Sequence, residues 1–320
     1  MFDLTLTWPH QVYIQRMCTA IEGITRFNTL ETNEDLDTTL GEYLNKGKYG
    51  SIYIAARDTN VVWKVQNTLN DKRVTREANA LNMVSGHSHI IQIRCFLTNP
   101  VDLRICMDRI RGKELFDEVV DGKLSVENIH TITHQLISAI SFIHSKGVVH
   151  RDIKCENVMI ERIGQSVRAV LIDFGEAKLV DVNRLMHSNV GSPSYIPYEI
   201  ACGRSYTSKC DIWSLGVTIY IMWFMVFPFS NNTDIQNIHY QDEDSAFENS
   251  QGFASGHLKA YRGDVPSSIL TLFKNHIFVP EEKRFDSVQL FSYFNQNTDV
   301  VIREKNIQLF SPKEPTMFTL

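Results

Sequence analysis

The feature that most restricts the fold of this 320-residue sequence is a run of eighteen residues without a charged side chain, Ile212 to Phe229. So much apolar surface is stable only in a membrane or in a protein core. Gly216 and Pro228 interrupt the run, and Asp211 rather than a basic pair precedes it. We therefore predict a buried core helix rather than a membrane span.

The composition is that of a globular chain. Hydrophobic residues make up 43% and charged residues 22%, which excludes a disordered or collagen-like chain. A net charge of -5 argues against direct binding of nucleic acid. The six cysteines include no Cys-x-x-Cys pair, and the N-terminus shows no secretory signal. We expect an intracellular protein with reduced thiols and no membrane partner.

Periodicity divides the chain into a strand-rich part and a helical part. Short β-like runs lie at 51–56, 61–65, 90–96 and 103–107, with one helix at 71–83 among them. From Ser125 the apolar spacing becomes helical, with β-like runs at 157–160 and 167–172. Residues 1–39 read as an N-terminal extension with an amphipathic helix, a candidate contact with a partner. A ligand cleft is expected between the two parts.

A glycine-containing turn and a lysine mark one wall of the expected cleft. Residues 45–52 lie between two β-like runs and carry Gly47 and Gly50, which would let the backbone approach phosphate oxygens. A plain hairpin turn could use the same residues. Lys64 lies on an otherwise apolar strand, either as an exposed edge lysine or pointing inward toward Glu77 of the next helix.

Two further motifs follow in order. Residues 150–157 read His-Arg-Asp-Ile-Lys-Cys-Glu-Asn, and residues 173–175 read Asp-Phe-Gly after an apolar run. This ordered series of glycine loop, lysine, glutamate, His-Arg-Asp loop and Asp-Phe-Gly resembles the eukaryotic protein kinase superfamily. The resemblance covers about residues 40–295 and is closest to serine/threonine protein kinases.

The resemblance implies an α+β, two-lobed fold with an ATP cleft between the lobes. The N-lobe, small and rich in strands, would span about 40–107, the hinge 108–112, and the C-lobe, larger and mainly helical, about 113–295. Residues 296–320 would form a C-terminal tail.

The resemblance also implies roles for the polar residues of the cleft. Asp152 would orient the substrate hydroxyl and accept its proton, and Lys154 would balance charge on the transferred group. Asn157 and Asp173 would hold Mg²⁺, which prefers oxygen ligands.

The nucleotide would be ATP. Lys64 would hold its α- and β-phosphates, with Glu77 fixing the direction of the lysine. Apolar side chains would enclose the adenine, and the hinge backbone would bond to it. The residues expected to contact ATP are Leu44, Asn45, Gly47, Gly50, Ile52, Val62, Lys64, Met107, Asp108, Ile110, Met159 and Asp173.

The substrate expected from the resemblance is a protein serine or threonine. Lys154 and the Gly-Ser-Pro sequence at 191–193, with Ser192 facing the substrate, are similar to serine/threonine rather than tyrosine kinases. Glu114 and Glu156 match acids that read arginines in substrates, which favours basic substrates over solvated surface acids without a role.

A regulatory site is implied at Ser188, three residues before Gly191. In the geometry of the family, Arg73, Arg151 and Lys178 would converge near this serine. A phosphate on Ser188 would then gain charge-assisted hydrogen bonds that order the loop. The alternative is an unmodified serine in a loop that is already ordered.

Four residues are expected to support the site from behind. Glu199 would pair with Arg284, and Asp211 would begin the buried central helix. Phe174 would stack with His150 in a column between the lobes, together with Leu81 and Ile93.

The sequence departs from the family pattern at a few positions. Asn45 replaces the first glycine of the phosphate loop, and Val62 replaces the alanine above the adenine. Pro197 and Tyr198 replace Ala-Pro before the paired acid, and Cys155 replaces a proline. Two alternatives to an active kinase therefore stay open: a pseudokinase that binds nucleotide or acts as a scaffold, and a kinase whose N-terminal helix dominates its function.

Overall fold

The computed structural model describes residues 39–47, 50–67, 74–98, 102–164, 166–180, 184–229, 235, 259–260 and 263–297. The predicted N-terminal helix and C-terminal tail lie outside the described residues, and so does Arg73.

The N-lobe is a five-stranded antiparallel sheet with the strand order β1-β2-β3-β5-β4 and one helix, α1. Because side chains alternate across a strand, Val62 and Lys64 face one side of the sheet and Trp63 faces the other. The elements are β1 (Leu40–Gly47), β2 (Gly50–Ala55), β3 (Val61–Asn67), α1 (Val74–Met83), β4 (Ile93–Thr98) and β5 (Asp102–Asp108).

The C-lobe is mainly helical and carries a small three-stranded sheet, β6-β8-β9, beside the cleft. Its first elements are β6 (Lys113–Glu114), α2 (Leu115–Val120), α3 (Val126–Ser145), β7 (Val148–Val149), β8 (Val158–Ile163), β9 (Ser166–Leu171) and β10 (Lys178–Leu179). Then come α4 (Tyr198–Ala201), α5 (Lys209–Phe224), strands Lys259–Ala260 and Gly263–Asp264, the helix Ser267–Leu272, a π-helical turn Phe273–Ile277, and a helix at 287–297.

The apolar run forms the core of the C-lobe. Every residue of α5 from Cys210 to Phe224 is buried, and Met225 ends the helix in the left-handed conformation. A helix that is apolar on all sides must be surrounded by protein or lipid. Within the described residues, no helix combines the length and the apolarity that crossing a membrane requires. The prediction of a buried core helix is confirmed.

The caps of α3 also agree with the sequence. Ser125 and Asn128 form a reciprocal capping box at its start, in which each side chain bonds to the backbone of the other. Gly147 follows its end at φ +68°, a conformation that favours glycine.

One predicted strand differs from the structure. The run 90–96 becomes strand only from Ile93, because the chain before it pairs with the C-lobe instead. The Ile91 amide donates to the Leu171 carbonyl at 3.0 Å, and the Leu171 amide donates to the His89 carbonyl at 2.9 Å. Ile90 is fully buried at this bridge. The segment between α1 and β4 therefore ties the lobes together.

The packing of α5 predicts the effect of a single methyl group. A Cβ at Gly216 would collide with Cγ2 of Ile277. Gly216→Ala should lower the free energy of unfolding by about 1–3 kcal/mol, although alanine is the better helix former. Urea unfolding measures the change. Combining it with Ile277→Ala, which removes Cγ2, should cost less than the sum of the two single changes. A more stable Gly216→Ala variant would contradict this packing.

Candidate active site

Lys64 joins two carboxylates at the base of the cleft. The side chain points inward from β3, and its Nζ lies 2.7 Å from Glu77 Oε1 on α1 and 2.7 Å from Asp173 Oδ1 after β9. Gln66, two residues along the same face of β3, donates to Glu77 Oε2 at 2.5 Å. Sequence reasoning missed Gln66, although its period-2 spacing from Lys64 places it on the same face.

Electrostatics keep Lys64 and Asp173 charged. Burial acts to lower the pKa of Lys64, but the negative charges of Glu77 and Asp173 outweigh it and leave the pKa raised. Burial acts in the opposite sense on Asp173, and the charge and hydrogen bond of Lys64 outweigh it, so the pKa of Asp173 is lowered. The site therefore presents an ammonium and an ionised carboxylate at neutral pH.

Hydrogen bonds to Asp211 of α5 hold the loop that carries Asp152. The carboxylate of Asp211 accepts the backbone amides of His150 and Arg151, each at 2.8 Å, and contacts His144 Nε2 at 2.9 Å. Arg151 adopts φ +66°, and Asp173 adopts φ +57°. Such conformations cost non-glycine residues free energy and persist only where surrounding contacts impose them. The Asp211 hydrogen bonds supply part of that restraint at Arg151.

Asp152 lies at the centre of a polar cluster. The carboxamide nitrogen of Asn157 donates to the Asp152 carbonyl at 2.7 Å and to its Oδ2 at 3.1 Å. Lys154 Nζ lies 2.9 Å from Asp152 Oδ2 and donates to Ser192 Oγ at 2.9 Å. The hydroxyl of Ser192 in turn donates to Asp152 Oδ1 at 2.9 Å. The cluster shows that Asp152 can accept a hydrogen bond from an alcohol beside Lys154.

His150 and Phe174 pack against each other behind these residues. Their ring centroids are 4.7 Å apart in an edge-to-face arrangement, and both side chains are fully buried. The His150 ring accepts from the Asp152 amide through Nδ1, so Nε2 carries the proton and donates to the Ile172 carbonyl at 3.1 Å. Leu81 is buried, and Ile93 packs partly buried against the same core.

The expected adenine wall is apolar at the residues nearest the hinge. Val62 and Met107 are buried register partners on β3 and β5. Ile52 faces the same core, while Met159 of β8 pairs with Glu114, and Leu44 is exposed.

The hinge backbone differs in one respect from the sequence expectation. The amide of Asp108 donates to the Gln92 carbonyl at 3.0 Å, and that of Arg109 donates to the Asn60 carbonyl at 2.7 Å. These two amides are therefore engaged within the protein. Of the predicted hinge contacts, the Asp108 carbonyl and the Ile110 backbone are the groups to consider for adenine.

The two glycines of the turn have different surroundings. A Cβ at Gly50 would lie 2.5 Å from the Val65 carbonyl oxygen, so the close approach of β3 already requires glycine there. A Cβ at Gly47 would meet only ordinary contact, at 3.7 Å. Asn45 accepts the Lys46 amide through Oδ1 at 2.7 Å. Residues 48–49 lie outside the described part of the turn.

Ser188 lies at a cluster of positive side chains. Arg151 Nη1 donates to Ser188 Oγ at 2.7 Å, and the serine is exposed. Burial and the positive charges of Arg151, Arg184 and Arg76 lower the pKa of Lys178. Sequence reasoning missed Arg76 and Arg184; Arg76 directly precedes Glu77 on α1, which is the signal that could have found it.

Three acidic side chains, those of Glu114, Asp117 and Glu156, lie near one another and near Lys154. Burial raises the pKa of Glu114, and the negative charges of Asp117 and Glu156 raise it further, while Lys154 acts in the opposite sense. Glu156 accepts the hydroxyl of Tyr195 at 3.1 Å. The exposed Asp117 adds a third acid that sequence reasoning did not identify.

A buried ion pair supports the segment around Ser192. Arg284 donates to both oxygens of Glu199, at 2.6 and 3.1 Å, and its guanidinium lies 5.0 Å from the Trp213 ring centroid.

Cys155, in the loop that carries Asp152, is buried. Burial raises the pKa of its thiol to about 12, so it is an inert thiol rather than a reactive one.

The fold is two-lobed, with charged residues of both lobes meeting at the cleft between them. A family model for the protein kinase domain matches residues 38–293. The chain therefore belongs to the protein kinase family, which confirms the family and the two-lobed α+β fold expected from the motifs.

Curated relatives are kinases as well. The chain is 33% identical over 207 residues to CBL-interacting serine/threonine-protein kinase 1 of Arabidopsis thaliana, covering 60% of this chain and 46% of the relative. It is 29% identical to a probable myosin light chain kinase of Dictyostelium discoideum, covering 64% and 69%. It is 36% identical to serine/threonine-protein kinase SAPK4 of Oryza sativa subsp. japonica, covering 48% and 42%. The chain spans about half the length of most of these relatives.

The hydrogen bonds of Asp211 predict a defined loss of stability. In Asp211→Asn the amide group cannot accept both backbone N–H groups as a carboxylate does, so the free energy of unfolding should fall by about 1–3 kcal/mol. Asp58→Asn is the matched control: this half-exposed side chain accepts a single backbone amide, from Asn60, which an asparagine oxygen can still accept, so the change should be small. Urea unfolding of the three proteins makes the comparison.

The pH dependence has a defined sign. Although burial alone would raise it, the pKa of Asp211 is held below its usual 3.8, chiefly through His144. The difference between wild type and Asp211→Asn should be complete above this value and shrink as the pH falls through the lower folded-state pKa. A difference that grows on acidification would contradict the assignment.

Proposed function

We propose that the chain is an active serine/threonine protein kinase, which uses Mg²⁺ and ATP to phosphorylate protein substrates, with residues 40–295 as its catalytic domain. The observation that carries the proposal is the set of polar contacts in the cleft. Lys64 bonds to both Glu77 and Asp173, and Asp152 bonds to Asn157 and Ser192. The relatives named as serine/threonine kinases support the choice of hydroxyl.

The side chains fit a magnesium–nucleotide complex. Asp173 stays ionised because of Lys64, and Asn157 turns its nitrogen toward Asp152, which leaves its carboxamide oxygen for a cation. Carboxylate and amide oxygens suit Mg²⁺, and phosphates complete such sites. Mg²⁺ held there would neutralise charge on the β- and γ-phosphates. Lys64, positioned by Glu77, would bind the α- and β-phosphates.

Asp152 would act as the base. A substrate hydroxyl in hydrogen-bond reach of Asp152 would be oriented toward the γ-phosphate and would give its proton to that carboxylate. The contact between the Ser192 hydroxyl and Asp152 Oδ1 supports this geometry, since it is an alcohol on the same acceptor. Lys154, 2.9 Å from Asp152 Oδ2, would balance negative charge on the transferred group.

A transfer assay tests the proposal. With Mg²⁺, labelled ATP and a basic serine peptide, Asp152→Asn should lower kcat by about 10²–10⁴-fold while ATP binding persists, because only the base is lost. The wild type is assayed beside it, and thermal unfolding verifies that both are folded. If both bind ATP and neither transfers phosphate, the chain is a pseudokinase.

The acids beside Asp152 support basic substrates. Burial raises the pKa of Glu114, and the nearby charges of Asp117 and Glu156 raise it further. A cluster of like charges at a cleft is relieved by a positively charged partner. We therefore infer that arginines or lysines near the phosphorylated residue bind here.

The preference for basic substrates is tested by charge removal. Glu114→Gln and Glu156→Gln should each raise KM for a basic peptide about two- to fivefold, the size of a partly exposed ion pair. KM for a neutral peptide and kcat should change little. Glu127→Gln, an exposed acid at the start of α3, is the matched control. A peptide library that selects acidic or proline-directed sites would overturn the inference.

The cluster at Ser188 supports control by phosphorylation. Arg151 already bonds to the Ser188 hydroxyl, and Arg151, Arg184 and Arg76 each act on Lys178 as like charges. A phosphate on Ser188 would replace this repulsion with charge-assisted bonds. Arg76 neighbours Glu77, so the phosphate would also restrain the helix that positions Lys64.

Phosphate mapping tests this control. After incubation with an activating kinase and unlabelled ATP, the wild type should carry phosphate on Ser188 and gain kcat/KM for the peptide. Ser188→Ala should not gain activity, whereas Ser166→Ala, an exposed serine on β9, should behave as the wild type. Equal activation of Ser188→Ala and wild type would remove the proposal.

A further inference from the structure

Two cysteines face each other on the N-lobe sheet, away from the catalytic residues. Cys95 on β4 and Cys106 on β5 are direct register partners of an antiparallel pair, immediately after an irregularity in the register between Ile93 and Cys95. Opposed residues of such pairs have Cα atoms about 4.5–5.5 Å apart. Disulfides span about 4.4–6.8 Å between Cα atoms, so the backbone already has the spacing that a disulfide needs.

Both cysteines belong to the outer face of the sheet. Cys106 lies opposite Trp63 in the register of β3 and β5 and shares a hydrophobic cluster with it. Cys95 packs partly buried against the same cluster. Lys64, the neighbour of Trp63, faces the cleft instead. The cysteine pair is therefore separated from the ATP cleft by the sheet itself.

The two thiols differ in their readiness to ionise. The neighbouring Cys106 thiol and the positive charge of Arg94 lower the pKa of Cys95 against the effect of burial. Cys106 is buried, and the neighbouring Cys95 thiol together with burial raises its pKa. Cys95 is half-buried and thus reachable by a small molecule. Cys95 is the nucleophile of the pair, and Cys106 holds the proton.

We propose that Cys95 and Cys106 form an oxidation site, at which a peroxide of the hydrogen peroxide class converts the two thiols into a cross-strand disulfide. The chemistry takes two steps. The Cys95 thiolate attacks one peroxide oxygen, the O–O bond breaks, and hydroxide departs. Cys95 is then a sulfenic acid. Cys106 then gives up its proton and attacks Cys95 Sγ; the S–O bond breaks and the oxygen leaves as water. The two thiols lose two electrons and two hydrogens, and the peroxide becomes two waters.

The other described cysteines provide internal comparisons. Cys155 and Cys210 are buried, and burial raises the pKa of each thiol. Cys202 is exposed and forms a matched control for accessibility. If exposure alone governed oxidation, Cys202 would react first and would not yield a bond between β4 and β5.

Peptide mapping of the full chain tests the site. Trypsin cleaves after Arg94, Arg104 and Arg109, so Cys95 and Cys106 fall in the separate peptides 95–104 and 105–109. After peroxide treatment and alkylation without reductant, we expect these peptides linked and two hydrogens lighter than their sum. Dithiothreitol should restore both thiols. The linked product should disappear in Cys95→Ser and in Cys106→Ser and persist in Cys202→Ser.

Three outcomes would overturn the proposal, and none requires a variant to fold. They are accumulation of Cys95 as a sulfinic acid while Cys106 stays alkylated, full alkylation of both peptides, and a disulfide from either cysteine to a different one. A linked 95–104 and 105–109 pair in the wild type supports the site whether or not the chain transfers phosphate, so the test is independent of the proposed kinase activity.

Discussion

The site depends most on one buried carboxylate. Asp211 belongs to a helix that is apolar on all sides, and it accepts the backbone amides of His150 and Arg151. Those bonds fix the loop that carries Asp152 and restrain the left-handed conformation of Arg151. A buried carboxylate needs such partners, because its desolvation is costly without them. Asp211 therefore connects the hydrophobic core of the C-lobe to the geometry of the polar loop.

Charge pairing then connects the lobes. Lys64 of the N-lobe bonds to Asp173 of the C-lobe while Glu77 bonds to the same lysine from α1. The backbone bonds between His89, Ile91 and Leu171 fasten α1 and β4 to the C-lobe. These contacts hold α1, Lys64 and Asp173 in position across the cleft. Arg151 of the loop that carries Asp152 also donates to the hydroxyl of Ser188.

The sequence was sufficient wherever local chemistry decides structure. The ordered motifs predict the fold and place the paired lysine and aspartates, and the charge-free run predicts the core helix. Arg184 and Asp117 were missed because their parts depend on contacts that no local pattern encodes, whereas Gln66 carried a local signal in its two-residue spacing from Lys64. The bond from the Asp108 amide to the Gln92 carbonyl could not be predicted either, because it depends on how the hinge packs against the segment after α1. Gly50 was predicted from its place in the phosphate-loop motif, and the packing of β3 against it also requires glycine there.

The proposed activity requires Asp173 and Asn157 to hold Mg²⁺ for a nucleotide that Lys64 binds. The most direct measurement is the affinity of the full chain for ATP by calorimetry, with Mg²⁺ and with a chelator. We predict that Mg²⁺ tightens binding to the wild type and that Asp173→Asn, which removes one carboxylate oxygen, loses most of this gain. Equal affinity of the wild type with and without Mg²⁺ would contradict it.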